Sequence, residues 1–196
     1  MIPITEKIYD RIRTIMDGWQ DEDIYAVSFF VSANEAYEYG GFSNVSSFSV
    51  SYNAESDCPG AGKYDEERWN YAFWRQDEEP VIDPDEGGEL TDLLFAWYAE
   101  KGLTNIGYED RKNGYDKHFR YIGKGPVGHY ELLTVASEVA ARLQNEGYLE
   151  ARFGRKLPII VHGLEYAWYD IEATRKANPD GEAKPFLKAA KKLGMG

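Results

Sequence analysis

The chain has 196 residues, of which 43% are apolar and 15% aromatic, and its net charge is −12. This composition predicts a single domain, 1–196, with a sizeable core, and it excludes disorder over most of the chain. No apolar run approaches the ~20 residues of a membrane span, and the negative charge disfavours nucleic acid and anionic membranes as partners.

A single cysteine, Cys58, excludes an intramolecular disulfide and is typical of a reducing compartment. The first residues also lack the basic and then apolar order of a signal peptide. We therefore expect a cytoplasmic protein.

The first quarter of the chain predicts a helix followed by two strands. Isoleucines recur at helical spacing over 5–17. Residues 24–31 form a short, almost wholly apolar run, which predicts a strand covered on both faces. Residues 45–52 alternate serine with apolar residues, which predicts a half-buried partner strand, and the polar stretch 32–44 is expected to be a long connection.

The next part of the chain contains two segments of less regular pattern. In 68–75, aromatic residues alternate with smaller ones. This favours a third strand, although 66–74 could also form a short helix. Residues 77–88 are acidic and contain prolines and glycines, so we predict a loop there.

The second half of the chain predicts four helices and one strand. Apolar stripes at helical spacing predict helices over 90–102 and 130–146. Residues 157–162 predict a buried strand, with a proline tolerated near its start. Further helices are expected at 170–178 and 185–193.

The segment 103–128, between the two long helices, carries six glycines or prolines among several aromatic residues. Long loops without secondary structure are uncommon and are often functional. A strand at 118–122 would shorten this irregular segment.

The order of these elements, helix, strand meander, then helices with one late strand, predicts an α+β fold. We expect an antiparallel or mixed sheet with the helices packed mainly on one face, which the helices at 90–102 and 130–146 cover. Six apolar residues of these strands and helices are expected to be buried: Phe29, Phe48, Val50, Leu94, Val139 and Ile160.

No residue pattern specifies a catalytic mechanism. His118, His129 and His162 share no metal-ligand spacing with each other or with Cys58. The carboxylates around residue 85 do not follow the calcium-loop pattern, and the glycines near 124 lack the Ser or Thr of a phosphate-binding loop. The acidic residues just before Cys58 oppose a reactive thiolate. We expect no catalytic residues, no metal and no cofactor.

The negative charge is concentrated in one part of the chain. Between Glu55 and Asp92, thirteen acidic residues accompany three basic ones, a balance of −10. We call 77–92 the acidic segment; it either attracts a basic protein partner or forms a solvated surface, and both alternatives stay open. The first alternative predicts these partner-binding residues: Trp74, Asp77, Glu78, Glu79, Asp83, Asp85, Glu86 and Glu89.

Several segments together resemble a known family. They are the first helix, the strands IYAVSFFV and SVSYNAE, the segment RWNYAFW, and the late strand LPIIVHGLE with ANP after it. Over 5–180 they are similar to the bacterial domain-of-unknown-function family 4303. The shared motifs are aromatic and structural, so the resemblance implies no catalytic residues. In size and acidity the chain is also similar to the immunity proteins of bacterial toxin systems.

The sequence leaves three functions open. The first is a soluble protein-binding module, of the immunity type, that binds a basic partner protein. The second is a hydrolytic or metal-dependent enzyme that uses carboxylates of the acidic segment with His118 or His162. The third is a structural scaffold module. The sequence favours a protein that is not an enzyme, whereas a pocket that joined these histidines to carboxylates would favour the second alternative.

Overall fold

The computed structural model describes residues 3–39 and 42–195, with side chains described throughout except at 34–39, 42–44 and 111. No helix in these ranges is long and apolar enough to cross a membrane. In chain order, the helices and strands are α1 (Ile4–Gly18), β1 (Ile24–Tyr39), β2 (Phe42–Ala54), α2 (Glu66–Trp69), β3 (Glu79–Ile82), α3 (Glu89–Glu100), α4 (His129–Asn145), α5 (Tyr148–Phe153), β4 (Ile159–His162), α6 (Trp168–Ala177) and α7 (Lys184–Leu193).

The four strands form one mixed sheet in the order β3-β2-β1-β4. β2 pairs antiparallel with both β1 and β3, whereas β4 pairs parallel with β1. The predicted α+β class and mixed sheet are therefore confirmed. In the parallel pair, Val27 lies opposite Ile159. The inner strand β1 therefore pairs with a strand from the second half of the chain.

Helices lie on both sides of the sheet, whereas the sequence predicts them mainly on one face. On one side, α1, α3 and α4 cover Phe29 and Phe48 in the larger core, as expected for the two long helices. On the other side, α2 and α7 cover Ala26 and Ile160 in a second core. The second layer is not apparent from the sequence, because 68–75 has the alternation of a strand.

The six residues predicted to be buried are all 0% exposed, so this prediction is confirmed. They come from both sides of the sheet. Five belong to the larger core, and Ile160 belongs to the second core.

The strand predicted over 68–75 is wrong. This part of the chain is α2, followed by a 3₁₀ helix at Tyr71–Phe73. The side chain of Asn70 accepts a hydrogen bond from the N–H of Ala72 (3.0 Å), which starts the second turn. Trp69, Tyr71 and Trp74 are buried while Phe73 is exposed, so the burial does not follow the period of a strand.

The loop predicted over 77–88 contains the edge strand β3. Its Pro80 lies opposite Ser49 of β2. Proline is tolerated on an edge strand because the outer N–H groups need no ladder partner. The proline and the acidic residues therefore conceal a short strand that only the neighbouring β2 makes possible.

Two further predictions about irregular segments differ from the structure. The long connection predicted over 32–44 is instead a continuation of β1 to Tyr39 and of β2 from Phe42, and residues 40 and 41 lie outside the described residues. The strand that would have shortened the irregular segment, at 118–122, does not form. A single bridge between Tyr115 and Tyr121 is present there.

β4 is an edge strand, and α6 closes its outer side with side chains. Asn178, just after α6, accepts a hydrogen bond from the N–H of Ile159 (2.9 Å) and donates one to its carbonyl (2.7 Å). One turn earlier, the Thr174 hydroxyl accepts from the N–H of Val161 and donates to its carbonyl, both at 2.9 Å. Backbone groups that would otherwise bind a fifth strand are therefore paired within the chain.

Candidate partner-binding surface

The carboxylates predicted to bind a partner lie on and around β3, in the following turn, and at the start of α3. Two of them, Glu78 and Asp83, are half-buried. The other five are exposed: Asp77, Glu79, Asp85, Glu86 and Glu89. Most of the negative charge of the acidic segment thus lies at the surface, where the cost of desolvation is small.

Asp83 builds the turn that carries these charges. Its carboxylate accepts hydrogen bonds from the N–H groups of Asp85 (2.9 Å) and Glu86 (3.3 Å). Its backbone carbonyl accepts hydrogen bonds from the N–H of Gly87 (2.9 Å) and the hydroxyl of Thr91 (3.1 Å). The turn is therefore fixed by four hydrogen bonds, and the Asp83 carboxylate serves the turn itself.

Two carboxylates before the turn bind groups of the protein core. Glu78 accepts a hydrogen bond from the Tyr71 hydroxyl (2.6 Å), and Glu79 accepts one from the indole N–H of Trp19 (3.0 Å). These contacts tie β3 and the residue before it to the rest of the fold. Their loss would disturb the structure, so both residues are unsuitable for a test of binding alone.

Two exposed carboxylates have cationic neighbours. Glu89 forms an ion pair with Lys7 (2.8 Å), and Asp77 lies 3.8 Å from Arg75. Burial raises the pKa of Asp77, while the nearby Arg75 acts in the opposite direction. Ion pairs at the surface are weak because solvent screens them, so these residues can exchange one cation for another.

Trp74, the predicted apolar anchor, lies in the second core and is only 4% exposed. Its indole N–H donates to the carbonyl of Arg68 (3.0 Å), and its ring packs perpendicular to that of His162. Polar sequence neighbours suggest a surface position, but a backbone carbonyl satisfies the one polar atom of the indole. Trp74 is therefore not available as an anchor for a partner.

His162, a candidate catalytic residue in the enzyme alternative, is fully buried at the end of β4. Its Nδ1 lies 2.8 Å from the carbonyl of Gly163, which can only accept, so Nδ1 carries the proton. Nε2 then accepts a hydrogen bond from the Ser28 hydroxyl (2.8 Å). The surrounding rings are those of Phe30, Tyr71, Trp74 and Tyr166. Both nitrogens are occupied within the fold, so the geometry is that of a structural histidine.

Burial lowers the pKa of His162 to about 4, because a charged imidazole would lose its solvation. We expect its NMR signal, assigned with a His162→Gln variant, to remain that of the neutral ring until the pH approaches 4. The unfolded chain takes up this proton first, near pH ~6.5. The stability contributed by the neutral ring is therefore complete above that pH and is lost as the pH falls toward 4. Titration near pH ~6.5 in the folded protein would contradict this environment.

His118 lies in a different environment, on an exposed turn where its backbone N–H donates to the Asp116 carboxylate (2.7 Å). Among the described residues, no hydrogen bond or ion pair joins His118 or His162 to a carboxylate of the acidic segment. The described side chains also include no group of three or more His, Cys, Asp or Glu that could hold a metal ion. The enzyme alternative thus receives no support from this geometry.

A groove runs between α1, α3 and α4. Two adjoining cavities of about 500 and 350 Å³ share Thr5, Trp97 and Lys101 in their linings. The remaining lining mixes apolar side chains with glutamates and contains no histidine. The groove therefore does not combine the groups that the enzyme alternative requires.

Cys58 contributes to a surface pocket that the sequence does not reveal. Arg68 Nη1 lies 3.8 Å from the Cys58 sulfur, whereas the sequence suggests only acidic neighbours. Those neighbours, Glu55 and Asp57, form ion pairs with Arg68 and Arg75. We call this cavity of about 360 Å³ the acidic pocket; its lining is Asp57, Cys58, Pro59, Gly60, Ala61, Asp65, Glu67 and Phe73.

No family model, curated protein or solved structure matches this chain. The resemblance to family 4303 and the similarity to immunity proteins stay predictions.

Proposed function

We propose that this chain is a protein-binding module, of the immunity type, that binds a basic partner protein through the acidic segment. The observation that supports the proposal is the fixed turn around Asp83, which presents exposed carboxylates from β3 to α3. A rigid set of charges loses little conformational entropy when it binds. The cytoplasmic location and the membership of family 4303 belong to the same proposal.

Electrostatics explains why a basic partner suits this surface. Exposed carboxylates grouped in one segment speed the encounter with a cationic protein and disfavour anionic partners. The ion pairs of Glu89 and Asp77 with the chain's own cations are weak enough for a partner's cations to replace them. The complex should therefore weaken as the salt concentration rises.

The test is a pull-down from extracts of the native host with a variant that loses four surface charges. The variant carries Asp77→Asn, Asp85→Asn, Glu86→Gln and Glu89→Gln, and it keeps the three carboxylates that hold the local structure. We expect recovery of the partner at ~0.15 M salt to fall at least about tenfold, because several charge-assisted contacts are lost together.

A matched control distinguishes the effect of the acidic segment on binding from the effect of net charge. The control removes four exposed carboxylates elsewhere through Asp10→Asn, Glu22→Gln, Glu138→Gln and Glu150→Gln, so both variants have the same net charge. It should recover the partner as the wild type does. If the first variant recovers the same proteins at the same salt strength, the acidic segment is only a solvated surface and the proposal fails.

A further inference from the structure

The exposed apolar side chains of this protein are concentrated in one region. Within the described residues, four of the six large exposed apolar side chains lie in 108–122. They are Tyr108, Tyr115, Phe119 and Ile122, and Phe119 is the most exposed, at 88%. Single exposed apolar residues are normal, but a group of them marks an interaction surface. We call residues 114–123 the aromatic loop.

The aromatic loop is ordered by its own hydrogen bonds. At its base, the N–H of Ile122 donates to the carbonyl of Gly114 (2.8 Å). At its tip, the Asp116 carboxylate accepts hydrogen bonds from the N–H groups of His118 (2.7 Å) and Arg120 (2.9 Å). The aromatic loop therefore has a defined conformation, and its apolar side chains are exposed in that conformation.

Phe119 is held at the tip in an unusual conformation. Its φ is +60°, in the left-handed region that a residue with a Cβ rarely adopts. The loop is joined to the body of the protein by the indole N–H of Trp168, which donates to the carbonyl of Gly123 (2.8 Å). A fixed aromatic side chain that projects into solvent is well suited to anchor a protein interface.

The charge around the aromatic loop is opposite to that of the whole protein. Residues 111–124 contain five Lys or Arg and a single acidic residue, Asp116, although the net charge of the chain is −12. Lys117, next to the tip, is exposed and makes no ion pair within the described residues. The surface complementary to this loop is therefore an acidic pocket with apolar walls.

The same chain carries an acidic pocket with several apolar side chains in its lining. The acidic pocket has a volume of about 360 Å³ and includes Pro59, Ala61 and the half-exposed ring of Phe73 in its lining. The carboxylates of Asp65 and Glu67 also line it, and Glu67 has no ion pair within the described residues. The lining is more polar than apolar overall; its apolar side chains can contact an aromatic ring, and its carboxylates suit the lysine beside it.

We infer that the aromatic loop of one copy binds the acidic pocket of a second copy of this chain. Phe119 enters the pocket beside Phe73, and Lys117 pairs with Asp65 and Glu67. Because each copy has both surfaces, two reciprocal contacts form a closed twofold dimer. This inference goes beyond the proposed function, since it concerns the acidic pocket and the aromatic loop and not the acidic segment.

Repulsion between two chains of net charge −12 opposes this dimer at low salt. At ~0.15 M salt the screening length is about 8 Å, so repulsion across the whole molecules is reduced more than attraction between touching groups. Association should therefore be strongest at moderate salt, where apolar contact and short ion pairs remain.

The first test measures self-association of the full chain by sedimentation velocity at ~0.15 M salt over a wide range of protein concentration. The wild type should pass from monomer to dimer as the concentration rises. Phe119→Ala should raise the dissociation constant about tenfold or more, because it removes the central anchor. Leu164→Ala removes another exposed apolar side chain, 72% exposed and outside both surfaces, and should leave the dissociation constant unchanged.

The second test uses complementary charge reversal. Lys117→Glu and Glu67→Lys, studied alone, should each raise the dissociation constant at least about tenfold, because each places like charges opposite one another in both contacts. An equal mixture of the two variants should form dimers again. In the mixed dimer, one contact pairs the new Glu of the first variant with the new Lys of the second, and the other contact keeps the original Lys117 and Glu67. Recovery in the mixture cannot arise from damage to the fold of either variant.

Three results would overturn the inference. The first is a wild-type chain that stays monomeric over the full concentration range. The second is a Phe119→Ala variant that associates as strongly as the wild type. The third is a monomeric chain that cosediments with phosphatidylserine vesicles through Phe119, which would assign the aromatic loop to an anionic lipid surface instead.

Discussion

Asn178→Ala is expected to lower the free energy of unfolding by about 2–6 kcal/mol, because it leaves two buried backbone groups without partners at about 1–3 kcal/mol each. The side chain of Asn178 is the hydrogen-bond partner of both the N–H and the carbonyl of Ile159 on the outer edge of β4. Asn178 is 4% exposed, so water cannot replace these bonds without opening the edge of the sheet. Urea unfolding of the variant and the wild type measures the difference.

Two companion variants sharpen this prediction. Asn113→Ala removes an exposed asparagine with one side-chain hydrogen bond, to Asp110, and should change stability by less than about 0.5 kcal/mol. Thr174→Val keeps the shape of the side chain but removes both hydrogen bonds to Val161, so it should destabilise and speed hydrogen exchange of the Val161 amide. An Asn178→Ala variant as stable as wild type would show that the edge of β4 does not need α6.

Phe29→Ala should destabilise the protein by about 3–5 kcal/mol, because it removes a buried aromatic ring and leaves a cavity. Phe29 is 0% exposed and lies on the central strand, opposite Val50 of β2 and Val161 of β4. Its ring packs against that of Phe48, with centroids 5.4 Å apart.

The matched control for Phe29→Ala is Phe119→Ala, the same substitution at a site that is 88% exposed. It should change the stability of the monomer by less than about 0.5 kcal/mol. Equilibrium unfolding at a concentration where the chain is monomeric compares the two. Similar losses of stability in both variants would mean that burial of Phe29 on β1 contributes little to the stability of the core.

The sequence predicts those helices and strands in which the pattern of apolar residues matches the faces that are buried. The apolar run at 24–31 and the serine alternation at 45–52 predict neighbouring strands, and they form the first half of β1 and the middle of β2. The apolar stripes of α3 and α4 also agree with the structure. In β2, α3 and α4 the apolar residues share one buried face, so their period indicates the secondary structure, whereas the run at 24–31 is apolar throughout because both of its faces are covered.

In the segment 68–75, the pattern of aromatic residues does not predict the secondary structure. Trp69, Tyr71 and Phe73 have the spacing of a strand, yet Phe73 faces solvent and Trp74 faces the core. The Asn70 side chain, which caps the next turn, was a usable signal for helical structure. β3 carries no local signal at all, because a short edge strand with a proline depends on the strand it joins.

The candidate surface was predictable in its charge but not in its geometry. The composition of 77–92 indicates exposed carboxylates, and most of them are exposed. Burial of Trp74 depends on packing against His162 from a distant segment, and the contact of Arg68 with Cys58 depends on how the intervening loop folds; a single sequence displays neither. The aromatic loop lay in the segment 103–128, whose glycines and aromatic residues suggested a functional loop without indicating which residue projects.

The parallel pairing of β1 with β4 has a consequence for synthesis on the ribosome. Val27 can pair with Ile159 only after about 130 more residues have been synthesised. At about 5–20 residues per second, this synthesis takes on the order of ten seconds. Until then, the nascent hairpin of β1 and β2 exposes an unpaired strand edge that can capture other chains. The emerging polypeptide should therefore depend on chaperones during this interval and lose that dependence once α6 has left the exit tunnel.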